Sequence, residues 1–294
     1  MISVIIPSKN RYQPLFQLLN DLAQQSTKPD EIIVVDQSDK PYLKLECTHI
    51  IDSGRGPCRA RNLGVKNSSG EILVFLDDDI RIDPDFIGNL CEPILNSRYE
   101  VVSGAICDSD GNYLRKDQYF WQNIEKMIFR AMTINPSNPT SGLSLCMPGG
   151  CSAITRDAFY NIGGFDLFFD PDGAGEDREI GIRLFLSGYP IYYNSLSKIN
   201  HLAVNYGGRR GSDKPSMDIL GGNIAYIIGL YFTKKNFDNY IRAFLHKEFI
   251  SEIAFNPKSW YRSIYRYKNA KKYVEFVKNS VENHEFGHNH ISDV

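Results

Sequence analysis

Three adjacent aspartates, Asp77, Asp78 and Asp79, close the stretch EILVFLDDDI. Carboxylates this near one another disfavour each other's ionisation, and burial sharpens the penalty. A hard divalent cation such as Mg2+ or Mn2+ would relieve it, because these ions take oxygen ligands and commonly share them with phosphates. One bound cation would then neutralise both the aspartates and a diphosphate. The competing reading is a solvated turn, since aspartate is frequent in loops. A second acidic pair, Glu176 and Asp177, stands at the head of an apolar-faced stretch in GEDREIGIRL. Carboxylates at a helix start gain about 0.3–1 kcal/mol from the helix dipole, so the pair alone is explained as favourable end charge.

The elements that must position these groups follow from the apolar pattern. SVIIP (3–7), EIIVVD (31–36) and ILVFLD (72–77) are short, β-branched apolar runs suited to buried strands. Leu15, Leu18, Leu19 and Leu22 fall at helical spacing, which predicts a helix over 13–25; Pro57 suits the first turn of a second helix and Gly70 its exit. Strand, helix, strand, helix, strand predicts an α/β fold, a parallel sheet with helices on both faces. Ligands bind such sheets at the carboxyl ends of the strands. Those ends carry Pro7-Ser8-Lys9-Asn10-Arg11, then Asp36-Gln37-Ser38-Asp39, then the aspartate trio, so polar groups of three strands converge on one edge.

The middle of the chain, about 100–215, is rich in glycine, proline and loop signals, and contains a predicted helix over 176–186. From about 219 the sequence reads as helices rich in Tyr, Phe, Lys and Arg. Between Lys234 and Lys278 there are eleven Lys/Arg against four Asp/Glu, a local excess of 7. The whole chain nevertheless carries a net charge of -2, which argues against nucleic acid as a partner. Six cysteines without a CxxC pair read as reduced thiols in a cytosolic protein. The N-terminus lacks the basic and long apolar segments of a signal peptide. The longest uncharged run, ILGGNIAYIIGLYF, has 14 residues, short of the roughly 20 a membrane span needs.

SVIIPSKNR, EIIVVDQSD, ARNLGV, FLDDD, GGCSAITRDAF, GGFD and GEDREIGIRL occur in the order found in family 2 glycosyltransferases of GT-A fold, and over residues 1–205 the chain resembles that family. The resemblance implies a Rossmann-like mixed, mainly parallel sheet with flanking helices, over 1–218: a nucleotide-binding half (1–105) and an acceptor half (106–218). A helical extension, 219–294, would follow, with a disordered tail from about 283. It implies inverting, metal-dependent transfer of a sugar from a nucleotide diphosphate to an acceptor hydroxyl.

Carried over motif by motif, Asp79 corresponds to the direct metal ligand, with Asp77 and Asp78 on the ribose, donor sugar or metal shell. Pro7, Ser8, Asn10, Arg11, Asp36 and Gln37 would form the nucleoside pocket, with Arg61 and Asn62 nearby. The family often has an acid where this chain has Gln37; an amide offers a donor and an acceptor to a pyrimidine imide edge, and UDP is the favoured carrier. Asp177 corresponds to the catalytic base and Glu176 to its support or to an acceptor contact. His201 stands where several members complete the metal shell, and imidazole suits Mn2+ better than Mg2+; a structural histidine is the alternative. Gly149 and Gly150 would let the backbone approach the sugar, or simply make a tight turn. YGGRRGSDK, with Arg209 and Arg210, would fold over the diphosphate or form a plain surface loop. Trp121 would line the acceptor side or pack in the core.

Several rival readings compete. HEFGH (284–288) matches a zinc-protease pattern but has an internal glycine and lies at the chain end. A nucleotidyltransferase would show a glycine-rich phosphate loop with a lysine near the first strand, and PSKNRYQ has no glycine. A non-catalytic sugar- or membrane-binding module would have no use for both acidic groups. The acceptor would be a glycan or a lipid-linked saccharide. The basic, aromatic end either packs on the catalytic domain, builds a dimer, or touches an anionic membrane at the cytoplasmic face.

Overall fold

The computed structural model describes residues 1–41, 45–114, 137–170, 173–208 and 217–231, the helical residues 238–239, 241–242, 245, 272 and 274–282, and residues 283, 284, 291 and 294. The chain forms two compact units, Met1–Ser212 with Asn289–Val294, and Asp213–His288.

The first unit is built on one nine-stranded sheet. Its first half is parallel: β1 (Ile2–Ser8) lies between β2 (Glu31–Asp36) and β4 (Ile72–Leu76), and β3 (Thr48–Ile51) lies outside β2. β1, β2 and β4 are covered on both faces, and their runs are almost continuously apolar for that reason. Leu15, Leu18 and Leu22 of α1 (Tyr12–Ala23) and Ile87, Leu90 and Ile94 of α3 (Phe86–Leu95) bury one face. On the other, Phe75 packs edge-on against Phe165, with ring centroids 5.3 Å apart. Each such leucine or phenylalanine contributes roughly 1.5–3 kcal/mol by leaving water.

The second half is mixed, with one parallel pairing among antiparallel ones. β8 (Cys151–Thr155) runs against β4, then come β6 (Val101–Cys107), β9 (Ile191–His201) and β5 (Ile80–Ile82), with β7 (Gly142–Ser144) also on β9. Four strand pairings are parallel and four antiparallel, β6 with β9 being the parallel pairing outside the first half, so the expected mixed sheet is present with parallel and antiparallel pairings in equal number. α2 (Pro57–Lys66), α4 (Arg156–Asn161) and α5 (Glu176–Leu186) complete the unit. Gly70 does not end α2, which is capped at Asn67; it lies against β1, where a Cβ would sit 2.3 Å from Ser3 Oγ.

Ile291 is buried at 3% exposure and belongs to the first unit, while most of the expected disordered tail lies outside the described residues. In the second unit, α6 (Met217–Tyr231) buries Ala225, Tyr226, Ile227 and Ile228, and the Tyr226 hydroxyl lies 2.9 Å from His284 Nδ1. Among the described residues no helix is long and apolar enough to cross a membrane. Trp121, Arg209, Arg210, His288 and most of the basic stretch 234–278 lie outside the described residues.

Candidate active site

β4 ends at Leu76, so Asp77 is the first residue past the sheet and the chain turns over Asp78 and Asp79 into β5. β5 pairs with the far end of β9, Ile80 opposite His201. That register places His201 beside Asp79: its Nε2 is 3.5 Å from Asp79 Oδ1, and the Leu202 N–H donates to the Asp79 carbonyl at 2.9 Å. Asp77, Asp79 and His201 each offer one ligand atom, all within 4.8 Å of one another. Two carboxylates and one imidazole suit Mn2+. Asp79 Oδ2 is buried and accepts no hydrogen bond, as expected of a carboxylate shaped for more charge than the protein supplies.

The protein nevertheless supplies part of that charge, which amends the expectation that a metal ion alone makes the trio tolerable. Asp78 points inward at 3% exposure, accepting from Ser8 Oγ at 2.8 Å and from Arg11 Nη1 at 3.1 Å. The same Nη1 lies 3.1 Å from Asp79 Oδ2, an ion pair without hydrogen-bond alignment. Burial still pushes the Asp78 carboxyl up to about 7, against the pull of Arg11 and Ser8. On the other side, Arg61 Nη2 donates to Asp77 Oδ1 at 3.2 Å. Asp78 is therefore a structural anchor, while Asp77 and the equally buried Asp79 each offer an oxygen beside His201.

Arg61 also joins the two acidic motifs. Its Nη1 is 3.5 Å from Glu176 Oε1, and its guanidinium lies over the Phe165 ring, 5.2 Å from the centroid. Burial opposes its charge, but Asp77, Glu176 and Asp177 outweigh that and its pKa is raised. Glu176 and Asp177 open α5, entered through Gly175 at φ 108. Gly181 lets that helix meet the segment just past β7, since a Cβ there would stand 2.1 Å from the Leu145 carbonyl. Asp177 is thereby fixed against 147–149: its Oδ1 accepts from the Gly149 N–H at 2.8 Å, and its carbonyl from the Met147 N–H at 3.1 Å. Gly149 and Gly150 precede β8 and lie alongside Asp77. A Cβ on Gly149 would fall 2.2 Å from Arg61 Cζ, and one on Gly150 2.3 Å from Asp77 Oδ2. The two glycines thus allow close approach to the Arg61 guanidinium and to the Asp77 carboxylate of the protein itself.

At the end of β1 and β2, Asn10 (φ 56) bridges to Asp39 and Ser38. Asp36 is buried and takes hydrogen bonds from the Ser38 N–H, the Tyr12 hydroxyl and His49, which outweigh burial and hold its pKa below the ordinary value. Pro7 sits in the β1–β2 ladder opposite Val35. Asn62 is 0% exposed and both ends of its amide bond the Phe165 backbone, so it clamps the scaffold beside Arg61. Gln37 is oriented at both ends, donating to Asp52 Oδ2 at 2.9 Å and accepting from the Gly56 N–H at 3.1 Å. Asp52, just past β3, also pairs with Arg59; these partners outweigh burial and keep its pKa low. Sequence reasoning missed Asp52, although THIID repeats the EIIVVD pattern of an apolar run ending on aspartate.

Asp170 was missed as well. It accepts from the Cys58 and Arg59 N–H groups at 3.1 and 2.8 Å, two of the donors a helix start leaves unpaired, and so fixes the end of α2 that carries Arg61. Gly56 makes room for it at φ 110. Burial raises the Asp170 carboxyl to about 6 despite those bonds. The folded state thus holds this proton more tightly than the unfolded chain. Stability is full below about pH 4 and falls as pH rises through about 6, by about 3 kcal/mol for this group. Asp170→Asn keeps an acceptor without the charge, so its melting temperature is expected to fall less steeply than the parent's between pH 4 and 7, read by differential scanning fluorimetry.

A parallel half joined to a mixed half, with acidic groups from both at the seam, is the architecture of the GT-A glycosyltransferases. The chain belongs to the family described as Glycosyl transferase family 2, which matches residues 3–163, more than half its length. N-acetylgalactosaminyltransferase 6 of Drosophila melanogaster is 30% identical over 227 residues, 68% of this chain and 34% of that protein. The chain thus spans about a third of that relative's length. A relative from Macaca fascicularis, 27% identical over 201 residues (59% of this chain, 44% of that protein), is named an inactive polypeptide N-acetylgalactosaminyltransferase-like protein 5. Two solved structures share the fold. GalNAc-T7 with UDP, GalNAc and Mn2+ superposes with TM-score 0.58 at 17% identity, covering 97% of this chain and 58% of that one. Staphylococcus aureus TarS 1–349 with UDP-GlcNAc gives 0.57 at 15%, covering 99% and 90%.

Proposed function

We propose that this protein is an inverting, metal-dependent glycosyltransferase that moves a sugar from a UDP-sugar to a hydroxyl of a glycan or lipid-linked saccharide. One observation carries the reading: Asp77, Asp79 and His201 stand on the same sheet edge as Glu176 and Asp177, with Arg61 between them. Asp77, Asp79 and His201 would hold Mn2+, and a cation there supplies charge neutralisation for the departing diphosphate. Asp177 takes the proton of the acceptor hydroxyl as its oxygen bonds to the anomeric carbon and the bond to the diphosphate breaks, inverting that carbon. Gly149 holds the base in place through its N–H, and Glu176 is held by Arg61. Asp52 and Gln37, at the ends of β3 and β2, would meet the base of the nucleotide.

The inactive relative shows why membership alone does not establish catalysis; here both acidic motifs are intact, which favours an enzyme over a binding module. A fluorimetric melt with UDP, with and without Mn2+, tests the reading. A ligand bound only by the folded form at about 100 times its Kd adds about 2.7 kcal/mol, so UDP with Mn2+ should raise the melting temperature by several degrees and UDP with EDTA should not. Equal shifts in both would remove the metal from the proposal.

A further inference from the structure

We propose that Arg11 is a positioning residue that ties the strap 202–208 to the aspartates and couples that strap to cation binding; the coupling rests on the metal-dependent reading above. The strap begins where β9 ends at His201 and is fastened at three points. The Leu202 N–H donates to the Asp79 carbonyl at 2.9 Å, Arg11 Nε donates to the Tyr206 carbonyl at 3.0 Å, and the Gly208 N–H donates to the Lys9 carbonyl at 2.6 Å. Gly207 and Gly208 adopt φ 61 and 51, and their bare Cα atoms let the strap lie on the guanidinium: a Cβ on Gly208 would sit 2.6 Å from Arg11 Cζ. Ala203 also holds a positive φ, 50. A non-glycine residue in that conformation is strained and persists where its surroundings impose it.

The other end of the same guanidinium reaches the site. Nη1 lies 3.1 Å from Asp78 Oδ1 and 3.1 Å from Asp79 Oδ2, while Asp79 Oδ1 faces His201. Arg11 therefore takes one oxygen of Asp79 and turns the opposite one toward the proposed ligand set. The geometry needs a rigid, planar cation with donors pointing two ways, which lysine cannot provide. A cation that draws on Asp79 acts through Arg11 on the Tyr206 carbonyl, and by linkage the placement of the strap acts on cation affinity.

Arg11→Lys preserves the charge and removes the fork, so any change reports geometry and not the loss of a competing cation. Mn2+ alone is titrated into the metal-free full chain, free Mn2+ being read by electron paramagnetic resonance, and amide exchange over 202–208 is followed by mass spectrometry. Groups that orient a metal ligand are worth about 10–100-fold in metal affinity, and Arg11→Lys is expected to weaken Mn2+ binding by that factor. Exchange across 202–208 should accelerate in the variant, and Mn2+ should slow it in the parent only. Unchanged or tighter Mn2+ binding by Arg11→Lys, with the parent binding normally, overturns the coupling alone. Exchange that rises evenly over the whole unit also overturns it, by making Arg11 a general stabiliser. A parent that binds no Mn2+ sinks the metal-dependent reading and the coupling with it.

Discussion

Asp177→Asn is expected to lower sugar transfer by about 10²–10⁴-fold, the usual contribution of a positioned general base, while UDP binding stays within about twofold of the parent. The substitution isolates the proton transfer. Asparagine retains an oxygen that can accept from the Gly149 N–H, so the contact that docks α5 on 147–149 survives. It also removes a negative charge near Arg61, whose remaining neighbours Asp77 and Glu176 keep it paired. Single-turnover transfer measured alongside equilibrium binding of UDP separates the two effects. Full turnover by Asp177→Asn would assign the base elsewhere, with Glu176 the next carboxylate on the same helix turn.

Asp79→Ala should act one stage earlier. It removes the carboxylate that lies between His201 on one oxygen and Arg11 on the other, so two of the three proposed ligands remain and Arg11 loses one of its partners. The metal-dependent part of the UDP thermal shift is expected to vanish. Several kcal/mol of charge stabilisation at the departing diphosphate are lost with it, which converts to a rate loss of about 10³-fold or more. The pattern distinguishes this variant from Asp177→Asn, which keeps the shift and loses only the rate. Asp78→Ala would not discriminate, because Asp78 is held by Ser8 and Arg11 inside the fold and its loss would damage the scaffold.

The contrast between these aspartates also shows what was legible in the sequence. Ile2–Ser8, Glu31–Asp36 and Ile72–Leu76 are continuous apolar runs because both faces are covered, and a short uninterrupted run announces such a strand. The start of α5 at Glu176 was legible from the acidic pair and the apolar face behind it. β9 was not: IYYNSLSKINH buries Asn194, Ser195 and Ser197 among its apolar residues, and a polar residue that is buried leaves no hydrophobic alternation to read. The position of His201 beside Asp79 depends on the pairing of Ile80 with His201, a register that no local pattern encodes. Only the resemblance to a family pointed there.

The electrostatics were half legible. Three carboxylates at a strand end announce a need for positive charge, and the sequence reading assigned that need to a cation. Arg11 and Arg61 were read as pocket residues, yet each is buried and paired with the trio. Which arginine meets which aspartate is set by the turn after β1 and by the seating of α2 under Asp170, both tertiary facts. Asn62 shows the reverse case: a polar residue in a family motif whose amide holds the Phe165 backbone at both ends, a contact no local pattern announces.

The central claim concerns the sheet edge itself: a divalent cation and a sugar nucleotide share one seat there, on groups that distant segments of the chain bring together. Crystals grown with MnCl2 and UDP, with data collected at the manganese absorption edge, test this most directly. The account predicts one strong anomalous peak within coordinating distance of Asp77, Asp79 and His201, with the diphosphate beside it. Electron density for UDP at that edge with no anomalous peak, or a peak on other residues, would contradict it.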